Sequence, residues 1–290
     1  MDTMRQKLNA GKKVAGCMIR ISRNPAIMYL VSAAGLDFVI LDCEHAEFGV
    51  ETIHDIAMMG KALGVSTIVR VPELSEAWVS RTLDIGAEGI MVPNLETVEQ
   101  AQLLVKYAKY PPVGDRGFTA NGPHTSYRGG KHADVLLEVN AGTIVIAQIE
   151  TKRAVENAEQ IAAVEGIDAL LIGPNDLSIS LGIPGEVMSE TECTAIAKVA
   201  DACKAHGKFF SLHSGPKLCD KFLHRLSFIT QGSDISMLSE TRATEREISL
   251  FTYAADGNKF ESKLRISRET GVCITLDNNR VLITVLLCVK

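Results

Sequence analysis

The sequence lacks the features that would direct it to nucleic acids or membranes. Its 30 Lys and Arg are outnumbered by 35 Asp and Glu, the net charge is −5, and the basic residues are scattered along the chain. A basic surface of the kind that binds nucleic acid is therefore not expected. No apolar stretch is long enough to cross a bilayer, and residues 1–13 contain no apolar signal core. We expect a cytoplasmic protein without a nucleic-acid or membrane partner.

Paired cysteine motifs are also missing. The seven cysteines are odd in number, widely spaced and never arranged as C-x-x-C. Disulfide frameworks and cysteine zinc sites have other spacings, so neither is expected. We expect reduced thiols, most of them small apolar fillers of the core. They are Cys17, Cys43, Cys193, Cys203, Cys219, Cys273 and Cys288.

Eight short apolar runs alternate with helical patterns. Such nearly continuous apolar runs are typical of parallel strands that are buried on both faces. Eight β-then-α units predict an α/β fold, the closed (βα)₈ TIM barrel. The rival is a doubly wound sheet, but no G-x-G-x-x-G follows the first run. The predicted strands are 14–19, 38–43, 66–71, 89–93, 144–149, 169–173, 208–212 and 228–231.

The helices between these strands have recognisable starts. One is predicted to begin at Asn24-Pro25, with Asn24 as the N-cap and Pro25 in the first helical position. The others span roughly 50–63, 75–85, 97–109, 153–164, 190–206 and 215–225.

One internal segment interrupts the alternation. Residues 110–132 are rich in Gly, Pro and polar residues. A loop of this length is usually functional or mobile.

The C-terminal segment departs from the barrel pattern. Residues 240–251 are charged and compatible with a helix, and the apolar runs 271–276 and 281–289 around a polar turn predict a β-hairpin. We therefore expect a barrel domain at 1–255 and a C-terminal extension at 256–290. Because the last run is apolar, we expect it to pack on another surface, preferably a neighbouring subunit.

Ionisable residues collect where the predicted strands end. In a barrel of this kind the chemistry lies at the carboxyl ends of the strands. Several such residues at one rim are more than a purely structural barrel requires. The strand ends carry Asp42-Cys43-Glu44-His45, Arg70, Pro93-Asn94, Gln148-Ile149-Glu150, Gly173-Pro174-Asn175-Asp176, Leu212-His213 and Gly232-Ser233-Asp234.

Glu150 and Asp176 are the candidate metal ligands. Two carboxylates, with room for water and two ligand oxygens, suit a hard divalent ion such as Mg²⁺, Mn²⁺ or Co²⁺. The structural alternative is that Asp176 caps a helix beginning at Leu177, while Glu150 pairs with Lys152 or Arg153.

His45 and Arg70 are the candidate acid–base and anion-binding residues. Imidazole titrates near neutrality, and Asp42 lies three residues earlier, where it can orient the ring. A lone histidine is, however, more often structural. Arg70 offers a planar fork for a carboxylate. Its alternative role is a salt bridge with Glu73 or another acid at the rim.

At these residues the chain resembles the HpcH/HpaI aldolase family of the phosphoenolpyruvate/pyruvate barrel superfamily. The matching strings occur in family order and cover roughly residues 10–240. They are GLDFVILDCEHAEF (35–48), VRVP (69–72), LDIGAEGIMVPNLET (83–97), KYPPVGDRG (109–117), IAQIET (146–151) and GIDALLIGPNDLSISLG (166–182).

The resemblance implies a class II aldolase that cleaves or forms 4-hydroxy-2-oxo acids through a metal-bound pyruvate enolate. It implies that Glu150 and Asp176 hold the divalent metal and that His45 is the acid–base, with Asp42 as its partner. Arg70 then holds the pyruvate carboxylate and steadies the enolate oxygen. Asp84 lies near His45 in the family. Residues expected to line the substrate site are Gln148, Gly173, Pro174 and Leu212.

The resemblance also sets the expected partners. A 2-oxo acid and an aldehyde are the small-molecule partners, and the protein is expected to be a homo-oligomer, a trimer or a hexamer. Met18 stands where many relatives carry an aromatic residue, and Arg20 follows it in the first βα loop. Arg20 can therefore bind a distal carboxylate or phosphate of the acceptor half. The remaining alternatives are another metal-enolate lyase or decarboxylase of the superfamily, and a non-catalytic scaffold.

Overall fold

The computed structural model describes residues 2–240, with side chains to residue 239, and the backbone of four strands at 246–253, 259–267, 271–276 and 282–285. The chain divides into two compact units, Met1–Ile235 and Ser236–Lys290. The predicted domain boundary at 255/256 lies within the second unit.

The first unit is the predicted barrel. Eight parallel strands pair in the order β7-β6-β5-β4-β3-β2-β1-β8, and a parallel bridge between His213 and Thr230 joins β7 to β8. The (βα)₈ prediction is therefore confirmed. The strands are β1 Val14–Ile19, β2 Phe38–Asp42, β3 Ser66–Arg70, β4 Gly89–Val92, β5 Ile144–Ile149, β6 Ala169–Ile172, β7 Phe209–Leu212 and β8 Phe228–Ser233.

Helices follow the strands around the outside of the barrel. Those described are α1 Met4–Asn9, α2 Ile27–Ala33, α3 Val50–Leu63, α4 Glu76–Asp84, α5 Val98–Ala108, α6 His132–Gly142, α7 Lys152–Glu156, α8 Ala158–Ala162, α9 Pro174–Ser180, α10 Glu190–Ala205, α11 Pro216–Phe222 and α12 Asp234–Glu240. In the part of the chain described, none of them is long and apolar enough to span a membrane.

The strands separate two apolar cores. One fills the barrel with alternate strand residues such as Phe38, Ile40 and Ile146, and the other packs the opposite strand faces against the helices. Burial on both faces is what the continuous apolar runs require. The five cysteines with described side chains are free and buried, as expected, and they are Cys17, Cys43, Cys193, Cys203 and Cys219.

Helix α1 closes the amino-terminal end of the barrel. Thr3 and Gln6 form a capping box at its start, and Met4 and Leu8, one turn apart, are buried in the interior core. The backbone N–H of Met4 donates a 3.0 Å hydrogen bond to Ser66 Oγ at the start of β3. The other end of the barrel therefore remains the open one.

The second unit contains a four-stranded antiparallel sheet in the order β12-β11-β10-β9. Its strands are β9 Arg246–Tyr253, β10 Lys259–Ser267, β11 Gly271–Leu276 and β12 Leu282–Val285. The pairing of β11 with β12 agrees with the predicted hairpin. The turn between them lies outside the described residues.

Several local predictions need correction. Residues 246–251, part of the segment described as compatible with a helix, belong to strand β9, where each pairs with β10. Helix α2 begins at Ile27, two residues after Pro25, because Asn24 first closes a turn by accepting the Ala26 N–H. Helix α6 was not predicted at all, because residues 132–142 carry only a weak apolar periodicity.

Candidate active site

A cavity of about 180 Å³ opens at the carboxyl ends of the strands. All eight strands, or the residues directly after them, contribute to its wall. The parallel register therefore brings together side chains that are far apart in the sequence. Seven of the predicted site residues line it, namely Arg20, His45, Arg70, Gln148, Gly173, Pro174 and Asp176.

A larger cavity of about 730 Å³ lies at the opposite end of the barrel, beside α1. Asp84 lies at this end, since α4 ends there just before β4 begins. Its carboxylate pairs with Arg116 at 2.5 Å. The expectation that Asp84 lies near His45 is therefore not met within this chain. Lys61 lines the same cavity, and its ammonium group already donates hydrogen bonds to the carbonyl oxygens of Pro123 and His124.

Asp42 and Arg70 form a buried, two-pronged ion pair. Arg70 Nε and Nη2 donate to the two oxygens of Asp42 at 2.9 and 2.7 Å. Asp42 is fully buried and also accepts the backbone N–H groups of Glu44 and His45. Burial raises the pKa of Asp42, but the hydrogen bond and charge of Arg70 outweigh it and keep this pKa below its usual value. Asp42 is therefore a fixed negative charge.

The fork of Arg70 is already bound on one side. Besides Asp42, it contacts Glu44, whose Oε2 lies 3.1 Å from Nη1. The alternative role of Arg70, a salt bridge with Glu73 or another acid at the rim, is therefore observed, with Asp42 and Glu44 as the acids in place of Glu73. A guanidinium carries five N–H groups, so after these three contacts one hydrogen on Nη1 and one on Nη2 remain for a ligand. Arg70 can still bind a carboxylate, but in a fixed orientation.

His45 lies on the loop after β2, with its side chain about half exposed. Asp42 accepts the backbone N–H of His45, so the expectation that Asp42 orients the ring is wrong. The nearest carboxylate is Glu44, whose Oε2 lies 3.7 Å from Nε2. Burial raises the pKa of Glu44, and the positive charges of Arg70 and His45 oppose this rise. The Glu44 carboxylate and the His45 ring therefore lie side by side at the mouth of the cavity.

Glu150 is a buried carboxylate at the end of β5. One oxygen accepts the backbone N–H of Asn94 at 2.7 Å, and the other accepts the side-chain amide of Gln148. Burial raises the pKa of Glu150 to about 7, the two hydrogen bonds lower it, and the negative charges of Glu44 and Asp176 raise it further. Glu150 is therefore a buried carboxylate with two acidic neighbours.

These groups fit a hard divalent cation. Asp176 and Gln148 line the cavity, and Gln148 Oε1 is buried and accepts no hydrogen bond from the described residues. Glu150 lies beside Gln148, whose side-chain amide it accepts, so two carboxylates and an amide oxygen are close together there. The absence of a side chain at Gly173 leaves room for the Glu150 carboxylate, because a Cβ at this position would lie 2.5 Å from Glu150 Oε2. Within the described ranges no group of three or more His, Cys, Asp or Glu side chains is arranged to hold a metal. A cation here would take its further ligands from water or substrate.

The structural alternative for this pair is not observed. Asp176 is the third residue of α9, which begins at Pro174 and not at Leu177 as expected. Arg153 lies 3.5 Å from Glu96 and does not pair with Glu150. Among the described residues, neither Lys152 nor Arg153 forms an ion pair with Glu150, and Asp176 has no ion pair.

His213, which the sequence placed at a strand end without giving it a role, lines the cavity. Leu212, expected in the substrate site, packs in the core between barrel and helices, and the alternation of β7 turns the next residue to the cavity. His213 Nδ1 lies 3.1 Å from Thr230 Oγ1. Burial, with the charges of Arg70 and Arg20, lowers the pKa of His213 to about 4. The ring is therefore uncharged at neutral pH.

Asp234 has a positioning role that the sequence did not reveal. It lies just after β8, and its carboxylate accepts the backbone N–H groups of Arg20, Ile21 and Ser22 at 2.9 to 3.0 Å. These three hydrogen bonds to one carboxylate fix the backbone of the loop after β1, and therefore the position from which the Arg20 side chain extends.

Comparisons with known proteins agree with this arrangement. The sequence model of a family described as HpcH/HpaI aldolase/citrate lyase matches residues 18–240. The chain is 35% identical over 208 residues to a 4-hydroxy-4-methyl-2-oxoglutarate aldolase of Chaetomium globosum, covering 71% of this chain and 77% of the relative. It is 35% identical over 200 residues to the 5-keto-4-deoxy-D-glucarate aldolase of Escherichia coli K12, covering 69% and 77%.

A solved structure gives the same result for the fold. The HpcH/HpaI aldolase from Desulfitobacterium hafniense DCB-2 superimposes with a TM-score of 0.81 and 34% sequence identity. The superposition covers 84% of this chain and 95% of that one.

Proposed function

The chain belongs to the HpcH/HpaI aldolase/citrate lyase family, and we propose that it is a divalent-metal-dependent aldolase, a carbon–carbon lyase. Its substrate is proposed to be a 4-hydroxy-2-oxo acid, which it cleaves to pyruvate and a second carbonyl compound, or forms in the reverse direction. The observation that carries the proposal is the pair Glu150 and Asp176. Asp176 lines the same cavity as Arg70 and His45, and Glu150 is hydrogen-bonded to the cavity residue Gln148 and is close enough to Asp176 to be affected by its charge.

Glu150, Asp176 and the free amide oxygen of Gln148 would hold the metal. When bound there, a divalent ion such as Mg²⁺, Mn²⁺ or Co²⁺ supplies a Lewis acid for the oxygens of a 2-oxo acid. Burial, together with the negative charges of Glu44 and Asp176, raises the pKa of Glu150, and a bound cation would favour its charged form by pairing with the carboxylate.

Arg70 is proposed to bind the pyruvate half. Cleavage of the C3–C4 bond leaves negative charge on the C2 oxygen, and a preorganised cation stabilises this charge. The two uncommitted N–H groups of Arg70 suit that task, since Asp42 and Glu44 prevent the guanidinium from turning away. Asp42 thus acts through Arg70, as a positioning residue.

His45 is proposed to move the proton. The C4 hydroxyl must lose its proton as the bond breaks, and C3 of the pyruvate half must later gain one. His45 is at the mouth of the cavity and is half exposed, so it can exchange protons with solvent. Glu44, 3.7 Å from its Nε2, is the acid that supports the protonated ring.

The finer assignments are part of the same proposal. A 2-oxo acid and an aldehyde or ketone are the partners, and the assembly is a homo-oligomer, either a trimer or a hexamer. We propose a cytoplasmic location, because the five cysteines with described side chains are free thiols and thiols stay reduced in that compartment. The substrate class agrees with the names of the two relatives, both of which are aldolases of oxo acids.

Conservative variants of the carboxylate pair test the proposal. Glu150→Gln and Asp176→Asn keep the side-chain shape but remove the charges that favour a cation. We expect each to lower pyruvate release from 4-hydroxy-2-oxo acids by about 100-fold or more, a loss of roughly 3 kcal/mol of transition-state stabilisation. The measurement is a coupled pyruvate assay with Mg²⁺ or Mn²⁺ present, beside circular dichroism to show that the fold is retained.

Glu156→Gln is the matched control, because Glu156 is an exposed carboxylate on the next helix. It should keep full activity. Equal rates in Glu150→Gln and the control would refute the proposed metal pair. Pyruvate release from oxaloacetate alone, with none from any 4-hydroxy-2-oxo acid, would favour a decarboxylase instead.

A further inference from the structure

Cys193 and Lys221 bring a thiol and an amine into direct contact outside the candidate active site. Cys193 is the fourth residue of α10, and Lys221 lies near the end of α11; these helices precede and follow β7. Lys221 Nζ donates a hydrogen bond to Cys193 Sγ at 3.0 Å. Neither residue lines the cavity at the carboxyl ends of the strands, so the proposed aldol chemistry does not use this contact.

Cys193 differs from three other described thiols in accepting a hydrogen bond from an ammonium group. A neighbouring cation stabilises a thiolate, which is the form of cysteine that oxidants attack. Cys193 is 8% exposed and its lysine partner lies at the surface, so a small oxidant can reach the sulfur. By contrast, burial raises the pKa of Cys17 to about 11 and the pKa values of Cys43 and Cys203 to about 12, which keeps these three thiols protonated at neutral pH.

Lys221 can approach the sulfur more closely without any movement of the two helices. Its side chain is exposed, and a lysine stem is flexible enough to bring the amine onto a neighbouring atom. In the described part of the chain Lys221 forms no ion pair with a carboxylate, so the sulfur of Cys193 is the group that holds its ammonium. The two nucleophiles are therefore placed to react with each other once one of them is oxidised.

We propose that Cys193 and Lys221 are an oxidation-sensitive pair, which a peroxide converts to a covalent Sγ–Nζ bond between α10 and α11. In the first step the Cys193 thiolate attacks hydrogen peroxide. An S–O bond forms, the O–O bond breaks, and the hydroxide that leaves takes a proton from the Lys221 ammonium. The products are a sulfenic acid, a neutral amine and water.

In the second step the amine of Lys221 attacks the sulfur of the sulfenic acid. An S–N bond forms, the S–O bond breaks, and the hydroxide that leaves takes a proton from the nitrogen. One thiol, one amine and one hydrogen peroxide thus give one sulfenamide and two water molecules. The sulfur loses two electrons, and the peroxide gains them. Nitrogen nucleophiles are known to trap sulfenic acids in this way.

The bond would hold together the two helices on either side of β7. It is reversible, because a thiol reductant attacks the sulfur, returns the amine and the cysteine, and leaves as its own disulfide. The reaction needs no substrate and no metal, so this inference does not depend on the proposed function.

Peptide mapping of the full chain tests the proposal. The folded protein is treated with hydrogen peroxide, its remaining thiols are blocked, and it is digested with trypsin without reductant. We expect residues 154–198, which contain Cys193, to be joined to residues 218–225, with no cleavage after Lys221. The mass of the joined product should be lower than the sum of the two peptides by two hydrogen atoms. Dithiothreitol should release both peptides and restore the cleavage.

Lys221→Arg separates the amine from its charge. It keeps a cation at the sulfur, but a guanidinium is a poor nucleophile. We expect no joined product and, in its place, a sulfenic acid at Cys193 that dimedone labels more strongly than in the wild type. Lys217→Arg, at an exposed position on the same helix, and Cys219→Ser are the controls and should form the joined product as the wild type does.

Three results would overturn the proposal. One is a product that joins residues 154–198 to residues 218–221, with normal cleavage after Lys221, and that is lost in Cys219→Ser, because this product is a disulfide. Another is equal dimedone labelling of Cys193 in the wild type and in Lys221→Arg. The third is oxidation of other thiols while Cys193 stays reduced. Circular dichroism before and after treatment shows that the reaction took place in the folded protein.

Discussion

Arg70 is a buried residue whose guanidinium is held in one orientation by its acidic neighbours. It is 6% exposed and binds Asp42 through two hydrogen bonds and Glu44 through an ion pair. A lysine keeps the charge but has no planar fork, and its ammonium cannot reach both acids in the same geometry. The orientation, and not the charge alone, is what the site obtains from arginine.

Arg70→Lys should therefore lower kcat/KM for aldol cleavage by about 100-fold or more, roughly 3 kcal/mol. The measurement is pyruvate release across a range of substrate concentrations. Arg81→Lys, at an exposed position on α4, is the control and should be neutral. A rate within about threefold of wild type for Arg70→Lys would mean that charge alone is sufficient and that the fork is not required.

At the residue scale, the sequence predicted the types of group better than their partners. The carboxyl ends of the strands in a parallel barrel converge, so Arg70, Gln148 and Asp176 could be placed in one cavity from the sequence alone. Partners depend on rotamers and on one-residue shifts of register, which a sequence pattern does not contain. This is why Asp42 binds Arg70 instead of the His45 ring, and why His213 replaces Leu212 at the cavity.

At the scale of elements, α10 carries an ionisable group that the proposed chemistry does not use. Glu192 lies in its first turn and is fully buried, and neither carboxylate oxygen has a hydrogen-bond partner among the described residues. Burial raises the pKa of Glu192 to about 7 from its ordinary value of 4.5. The folded protein therefore binds a proton here that the unfolded chain releases above pH 4.5.

Because the pKa of Glu192 is higher in the folded protein than in the unfolded chain, its protonation adds to the free energy of unfolding. This contribution is fully present below pH 4.5, the unfolded pKa, and is lost as the pH rises through about 7, the folded pKa. Glu192→Gln removes this dependence. We expect the variant and the wild type to unfold alike near pH 5, and the variant to be more stable at pH 8 by about 1–3 kcal/mol. Urea unfolding at both pH values measures it. Glu190→Gln, exposed on the same turn, is the control. An equal difference at pH 5 and pH 8 would contradict the assignment.

The bounds of helices and strands with a strong apolar pattern were predicted closely. Elements that depend on tertiary contacts were not predicted. Strands β1 and β5 have the predicted bounds, because continuous apolar runs between helices leave few alternatives. Helix α1 has only six residues, too few to be stable by itself, and depends on burying Met4 and Leu8 beneath the barrel. Residues 246–251 have helical propensity but form a strand, because pairing with β10 overrides a weak local preference.

For the molecule as a whole, the candidate site belongs entirely to the first unit. Every residue given a role in it, from Arg20 to Asp234, precedes Ser236, where the second unit begins. The barrel alone therefore carries the proposed chemistry. The family match ends at residue 240, so the relatives say nothing of the four-stranded sheet that follows.

The central claim is that this barrel cleaves a carbon–carbon bond with the help of a divalent ion held by Glu150 and Asp176. The most direct measurement is pyruvate release from a 4-hydroxy-2-oxo acid by the full chain, before and after exhaustive removal of metal with EDTA. We expect a loss of about 100-fold or more, and recovery when Mg²⁺, Mn²⁺ or Co²⁺ is restored. Undiminished cleavage by the metal-free protein would contradict it.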